Sequence, residues 1–195
     1  MKIAILGWGS LIKEPRELPI VGKWREDGPV LWIEFSRISR DGERAGCLTL
    51  VIDERSTEEI RTFYAVSPRT DLPQAIADLG TREGTSQDDI GTCEVSSGRF
   101  ATKGMNRHPK SCARIRTWAL EKGFDAVIWT ALARRFKDAL GVPFSPVAAL
   151  NYLNSLPVPT KEKALKYIHN APAQTMTPFR RLLLAQATAL SGGVE

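Results

Sequence analysis

The sequence predicts an α+β protein, and three features carry that reading. Short β-branched apolar runs, bounded by glycine, proline and polar turns, fill the first two thirds of the 195 residues. Segments that open on a capping residue beside a proline and continue at helical spacing fill the remainder. Between them, a helical pattern from Lys110 to Lys122 runs straight into a strand pattern from Phe124 to Thr130, and a helix feeding a strand predicts a mixed sheet.

Lys2 to Leu6 is a continuous apolar run of the kind found in a strand covered on both faces, and it stops at Gly7-Trp8-Gly9. Residues 12 to 28 are rich in proline, glycine and charge and read as an irregular connection. Pro29 to Arg37 and Gly46 to Ile52 read as strands on either side of the polar turn 39–44, which makes them an antiparallel pair. Glu59 to Val66 reads as one strand with both faces covered. Thr70-Asp71-Leu72-Pro73 opens a helix that carries Leu72, Ile76 and Leu79 on one side and ends at Gly80 or Gly84.

Ile90 to Val95 is the next strand, and Ser97 to His108 reads as a loop or an insertion. Ser145-Pro146 starts a helix ending near Ser155, Thr160 starts another with Ala164, Leu165 and Ile168 on one side, and Thr177-Pro178 starts a third over Phe179 to Leu190. The tail Ser191-Gly192-Gly193 is expected to fray.

Composition narrows the function classes. At 43% hydrophobic and 25% charged the chain is ordinary for a soluble globular protein, and no apolar run approaches the ~20 residues that span a bilayer. Cys47, Cys93 and Cys112 are far apart with no Cys-x-x-Cys pair, so the reading contains no disulfide framework, no zinc site and a cytoplasmic location. His108 and His169 have no second ligand near them in sequence, so no catalytic metal and no cofactor are expected. The net charge of +5 is spread over scattered basic residues, the densest being Arg134-Arg135-Phe136-Lys137 and Arg180-Arg181. It reads first as solvated surface and second as attraction for acidic metabolites, with nucleic acid outside the expected partners.

The turn after the first strand exposes backbone N–H groups and is a candidate anion or oxyanion site. A dinucleotide fold would need a third glycine where Ile12 stands, and Lys13-Glu14-Pro15 interrupts the helix that should follow. Gly7-Trp8-Gly9-Ser10-Leu11 resembles instead the substrate loop of the gamma-glutamylcyclotransferase-like family, Tyr-Gly-Ser-Asn-Leu, with Trp8 in place of the tyrosine and the asparagine missing. A second segment, Leu79-Gly80-Thr81-Arg82-Glu83-Gly84, is similar to the family's Leu-Asp-x-x-Glu-Gly, which carries the catalytic glutamate. Phe35-Ser36 with Gly46-Cys47-Leu48 resembles the central hairpin, and Asp125 to Thr130 the late strand.

The resemblance implies a small mixed-sheet β-barrel flanked by helices over residues 1–155. Residues 156–195 extend beyond it and read as a C-terminal helical extension packed on that domain, which either caps the pocket or makes a homodimer. The resemblance also implies a metal-independent enzyme that releases 5-oxoproline from a small γ-glutamyl substrate. Glu83 would be the general base, and Gly7, Trp8, Gly9, Ser10 and Leu11 would bind substrate. A glutamate at a helix C-terminus sits in the negative end of the macrodipole, which favours its protonated form and suits a base working near neutral pH. The plain alternative is an end-of-helix carboxylate exposed beside Arg82, or a non-catalytic binding domain on the same fold. Arg37, Arg40 and Arg44 are available to a substrate carboxylate, whereas Trp32, Trp129 and Cys47 read as packing and His108 as a loop residue.

Overall fold

The computed structural model describes residues 1–191, so the expected fraying of Gly192 and Gly193 lies outside them. Ten strands occur among the described residues: β1 Ile3–Gly7, β2 Val21–Arg25, β3 Val30–Leu31, β4 Ile33–Ile38, β5 Leu48–Ile52, β6 Ile60–Arg61, β7 Phe63–Val66, β8 Ile90–Glu94, β9 Arg99–Phe100 and β10 Ala126–Thr130. The helices are α1 Ser10–Lys13, α2 Leu72–Glu83, α3 Thr102–Arg107, α4 Pro109–Lys122, α5 Phe136–Leu140, α6 Pro146–Ser155, α7 Val158–His169 and α8 Pro178–Ser191.

β1 is central because both of its faces are apolar. Ile3 and Ile5 point to one side, where they meet Ala75 and Leu79 of α2. Ala4 and Leu6 point to the other, into a larger cluster shared with Phe35, Leu48, Trp118 and Phe179. The sheet is mixed, as the helix feeding β10 implied. Its order is β2-β7-β1-β10-β8-β9, with β1 parallel to β10 and the other pairs antiparallel.

The implied closed barrel does not form. β3 pairs only with β6, and β4 only with β5, as two separate ribbons beside an open six-stranded sheet. The two long expected strands are each broken by one residue, at Trp32 and at Thr62. Thr62 turns its backbone out of the sheet: its N–H and hydroxyl donate to Pro29 O at 3.1 and 2.7 Å, and its carbonyl accepts from Gly28 N at 3.0 Å. The β4–β5 hairpin matches the expected antiparallel pair, with Ile33 opposite Ile52 and Ile38 opposite Leu48.

Three helix starts follow their expected caps. Asp71 accepts from Gln74 N at 3.1 Å, Ser145 Oγ from Ala148 N at 3.1 Å, and Thr177 Oγ1 from Arg180 N at 3.2 Å. α7 begins at Val158 rather than Thr160, because Pro159 is tolerated in a first helical turn.

Further departures from the sequence reading include β2, α3 and the burial of His108. β2 lies within the expected irregular connection; it is an exposed edge strand with Gly22 at φ +72° and Lys23 and Arg25 on it, a charged edge rather than an apolar run. α3 lies within the expected loop, and its Gly104 sits where a Cβ would come within 3.3 Å of Gly91 Cα. His108 is the non-helical connection between α3 and α4, in line with its reading as a loop residue, but at 2% exposed it is buried.

Trp129 is fully buried, as expected of core, while half-buried Trp32 carries the Arg114 guanidinium 3.9 Å above its ring. Beyond residue 155, Ala164, Ile168 and Phe179 belong to the same apolar cluster as Phe35 and Leu48. Buried Glu34 of β4 also receives the Phe179 N–H at 3.2 Å, at the start of α8. No described helix is long and apolar enough to cross a membrane.

Candidate active site

The parallel strands β1 and β10 run out at the same edge of the sheet, with Ile5 opposite Ile128. Carboxyl ends of neighbouring parallel strands leave room for a crevice as their chains diverge. That edge opens into a cleft of about 690 Å³. Gly7, Trp8, Gly9, Ser10 and Leu11 line it from the end of β1, Thr130 from β10, and Thr81 to Ser86 from the end of α2, with Glu83 among the last group. Every residue to which the sequence assigns a site role therefore borders one hollow.

Glu83 arrives there by a local device. It is the last residue of α2, and Gly84 follows at φ 61° and ψ 38°, the left-handed conformation that glycine adopts without cost from a Cβ. The Thr85 N–H then reaches back to Gly80 O at 3.1 Å and the Gly84 N–H to Thr81 O at 3.2 Å. The helix stops abruptly and its final side chain is delivered to the cleft.

Glu83 is not an exposed carboxylate beside a solvated arginine. Its side chain is 17% accessible and that of Arg82 is 2%. Arg82 Nη1 donates to Glu83 Oε1 at 2.7 Å, and its Nη2 donates to Glu14 O at 2.6 Å. One buried guanidinium thus ties the carboxylate to the C-terminal end of α1, the short helix that begins in the glycine loop. Arg82 appears in the sequence only as a neighbour of Glu83, and nothing local marks it as buried.

The loop residues divide by depth. Trp8 and Leu11 are 4% and 5% exposed and reach the cleft from beneath, while Ser10 is partly exposed at its surface. Ser10 and Leu11 open α1, where backbone N–H groups have no acceptor within the helix, and Gly9 supplies no side-chain cap. Gly7 and Gly9 are closely approached by neighbouring side chains. A Cβ on Gly7 would stand 2.7 Å from Ile12 Cδ1, and one on Gly9 would stand 3.2 Å from Leu50 Cδ1 and 3.3 Å from the Tyr167 hydroxyl.

The cleft is strongly basic. Among the described residues, Arg16, Arg37, Arg40, Arg44, Arg82 and Arg135 border it, against the three acids Asp41, Glu83 and Asp89. Asp89 is already committed. Burial raises its proton affinity, but the hydrogen bond from Arg107 at 2.8 Å and the charges of Lys103 and Arg37 hold it below the usual carboxylate range. Arg37 is half-buried and donates to Ala133 O at 2.9 Å. The basic surplus that reads as scattered along the chain is gathered here by folding.

Two contributions come from beyond residue 155 and have no sequence signal pointing to the site. Tyr167 of α7 lines the cleft, and burial pushes its phenol up from the ordinary range. Its ring lies under the Arg44 guanidinium at 5.0 Å. Buried Thr175 donates its hydroxyl to Trp8 O at 2.8 Å, pinning the glycine loop from the α7–α8 connection. That connection is itself organised by buried Arg180, which donates to the carbonyls of Pro172, Thr175, His169 and Ala171 at 2.6, 3.0, 3.3 and 2.9 Å. Comparison of the chain with family models, with curated proteins and with solved structures finds no match.

Proposed function

We propose that this protein is a gamma-glutamylcyclotransferase-like enzyme that releases 5-oxoproline from a γ-glutamyl amide or peptide. The observation that carries the reading is the single cleft bordered both by the Gly7 to Leu11 loop and by Glu83, two segments more than seventy residues apart in sequence. The mixed sheet with a glycine loop at the end of its first strand supports the kinship in fold, without a closed barrel.

In this reading the α-amino nitrogen of the γ-glutamyl unit attacks its own γ-carbonyl carbon. The new N–C bond closes the five-membered ring and the old amide C–N bond breaks. Glu83 takes the proton from the attacking ammonium and returns it to the departing amine. The amides of Gly9, Ser10 and Leu11 hold the oxyanion or the substrate carboxylate, where preorganised donors contribute roughly 3 kcal/mol each in other enzymes. Arg37, Arg40 and Arg44 draw in the α-carboxylate. No nucleophilic side chain is required, because the substrate carries its own and holding the ring-closing conformer supplies much of the rate.

The test is a panel of γ-glutamyl compounds assayed for 5-oxoproline, wild type beside Glu83→Gln. Loss of a general base lowers kcat by about 100-fold or more. Equal turnover by both proteins removes the mechanism. The Arg82–Glu83 ion pair at 2.7 Å favours one other reading, a non-catalytic small-molecule-binding domain in which Glu83 serves only to hold Arg82. Binding of a γ-glutamyl compound without formation of 5-oxoproline by wild type would select it.

A further inference from the structure

A smaller annex of about 410 Å³ adjoins the main cleft, and the two share Ser10, Arg16, Arg44 and Tyr167 in their linings. Among the described residues, the annex is lined by the cations Lys13, Arg16, Arg44, Lys163 and Lys166 against one acid, Glu14. Lys163 and Lys166 are three residues apart on α7 and so project from one face of it. Lys13, Lys163 and Lys166 are exposed, and none of the three forms an ion pair among the described residues. Like charges converging on a concave surface repel one another, and an anion placed between them relieves that repulsion.

Arg16 stands at the junction of the two hollows, and its backbone carries a second signal. It is the non-glycine residue with positive φ, +53°, among the described residues. Side chains are disfavoured in that region, and such outliers persist where surrounding structure holds them in place, often at ligand sites. Arg44 is held over the Tyr167 ring at the same junction. The wall between cleft and annex is thus built from two arginines, one strained and one stacked, with the lysines beyond them.

We propose that the annex binds a polyanionic group, so that the amine half of the γ-glutamyl substrate carries two or more negative charges, as a phosphate monoester or as several carboxylates. The γ-glutamyl identity of the ligand rests on the cyclotransferase reading, whereas the anion site stands on the annex itself. A neutral amine, or an amino acid with one carboxylate, leaves at least two of the three lysines unanswered.

The experiment compares γ-glutamyl ethylamide, γ-glutamylalanine, γ-glutamyl phosphoethanolamine and a γ-linked triglutamate as substrates, together with calorimetric binding of inorganic tripolyphosphate to the full chain. The proteins are wild type, Lys163→Glu/Lys166→Glu and Lys163→Arg/Lys166→Arg. The expected result is a KM about tenfold lower for at least one polyanionic substrate than for the ethylamide, with little change in kcat. The glutamate variant collapses that ratio and loses tripolyphosphate binding, and the arginine variant keeps both. Preference for the phosphate or for the triglutamate identifies the source of the charge. Equal KM values across the series, with 5-oxoproline formed, overturn the annex proposal and leave the cyclotransferase reading intact. No 5-oxoproline from any substrate, with tripolyphosphate binding that the glutamate variant abolishes, supports the anion site and removes the cyclotransferase reading. Tripolyphosphate binding that is absent, or equal in wild type and glutamate variant, overturns the annex proposal.

Discussion

Two buried titratable groups set opposing pH dependences of stability, and separating them tests the physical account of the core. Glu34 on β4 is 1% exposed, and burial pushes its carboxyl up to about 7, although Thr177 and the N–H groups of Phe35 and Phe179 favour the ionised form. The nearby Asp53 charge adds to the upward shift. His108 is 2% exposed and burial pushes its imidazole down to about 4, with Glu54 and Asp53 favouring the charged form and Arg107 and Arg134 opposing it.

The signs follow from which state holds more protons. Between pH 4.5 and 7 the native Glu34 keeps a proton that the unfolded chain has lost, so stability falls as pH rises. Between pH 4 and 6.5 the unfolded His108 holds a proton that the native one lacks, so stability rises with pH. One proton of difference is worth about 1.4 kcal/mol per pH unit. Asp27, Glu59 and Asp89 are all held below their ordinary values and finish titrating at lower pH. From pH 5 to 6.5 the two slopes therefore cancel in the wild type.

Each single variant unmasks the other group. Glu34→Gln should gain about 2 kcal/mol between pH 5 and 6.5, and His108→Gln should lose about 2 kcal/mol between pH 5 and 7. Urea unfolding midpoints measured at half-unit pH steps, with the slope m checked for constancy, give these differences directly. If Glu34→Gln follows the wild-type curve from pH 5 to 7, the carboxyl does not titrate as its burial requires, and the reasoning fails.

Gly91→Ala places a Cβ 2.3 Å from Trp129 Cε2, against an indole that is fully buried, so overpacking should cost about 2 to 3 kcal/mol and lower the thermal midpoint. Thr175→Val removes the 2.8 Å bond to Trp8 O and leaves a buried carbonyl unpaired. It should cost about 1 to 3 kcal/mol in urea unfolding and raise KM in the proposed reaction by loosening the glycine loop. Unchanged stability in Thr175→Val would mean that the Trp8 carbonyl has another partner. Glu83→Gln and the lysine variants of the annex complete the set.

What was legible in the chain was local. The β1 run, the Asp71, Ser145 and Thr177 caps and the glycine ending α2 depend on residues a few positions apart, and all of them read correctly. Short elements without such marks did not: β2 is an edge strand whose charges hide it, and α3 and α5 are five or six residues long. The breaks at Trp32 and Thr62 carry no local mark, because an aromatic and a β-branched residue both suit a strand, and the barrel implied by the resemblance does not close.

The candidate site divides in the same way. By itself the sequence determined that a glycine turn ends the first strand, that Glu83 ends a capped helix, and that the chain carries a basic surplus. Only the tertiary structure decided that these share one cleft, that Arg82 is buried between them, that Tyr167 and Thr175 reach back to the loop, and that the cations crowd two adjoining hollows. The reason is physical: caps and turns are settled by neighbours along the backbone, whereas burial and electrostatic environment are settled by packing, which brings Thr175 onto Trp8 across 167 positions of chain.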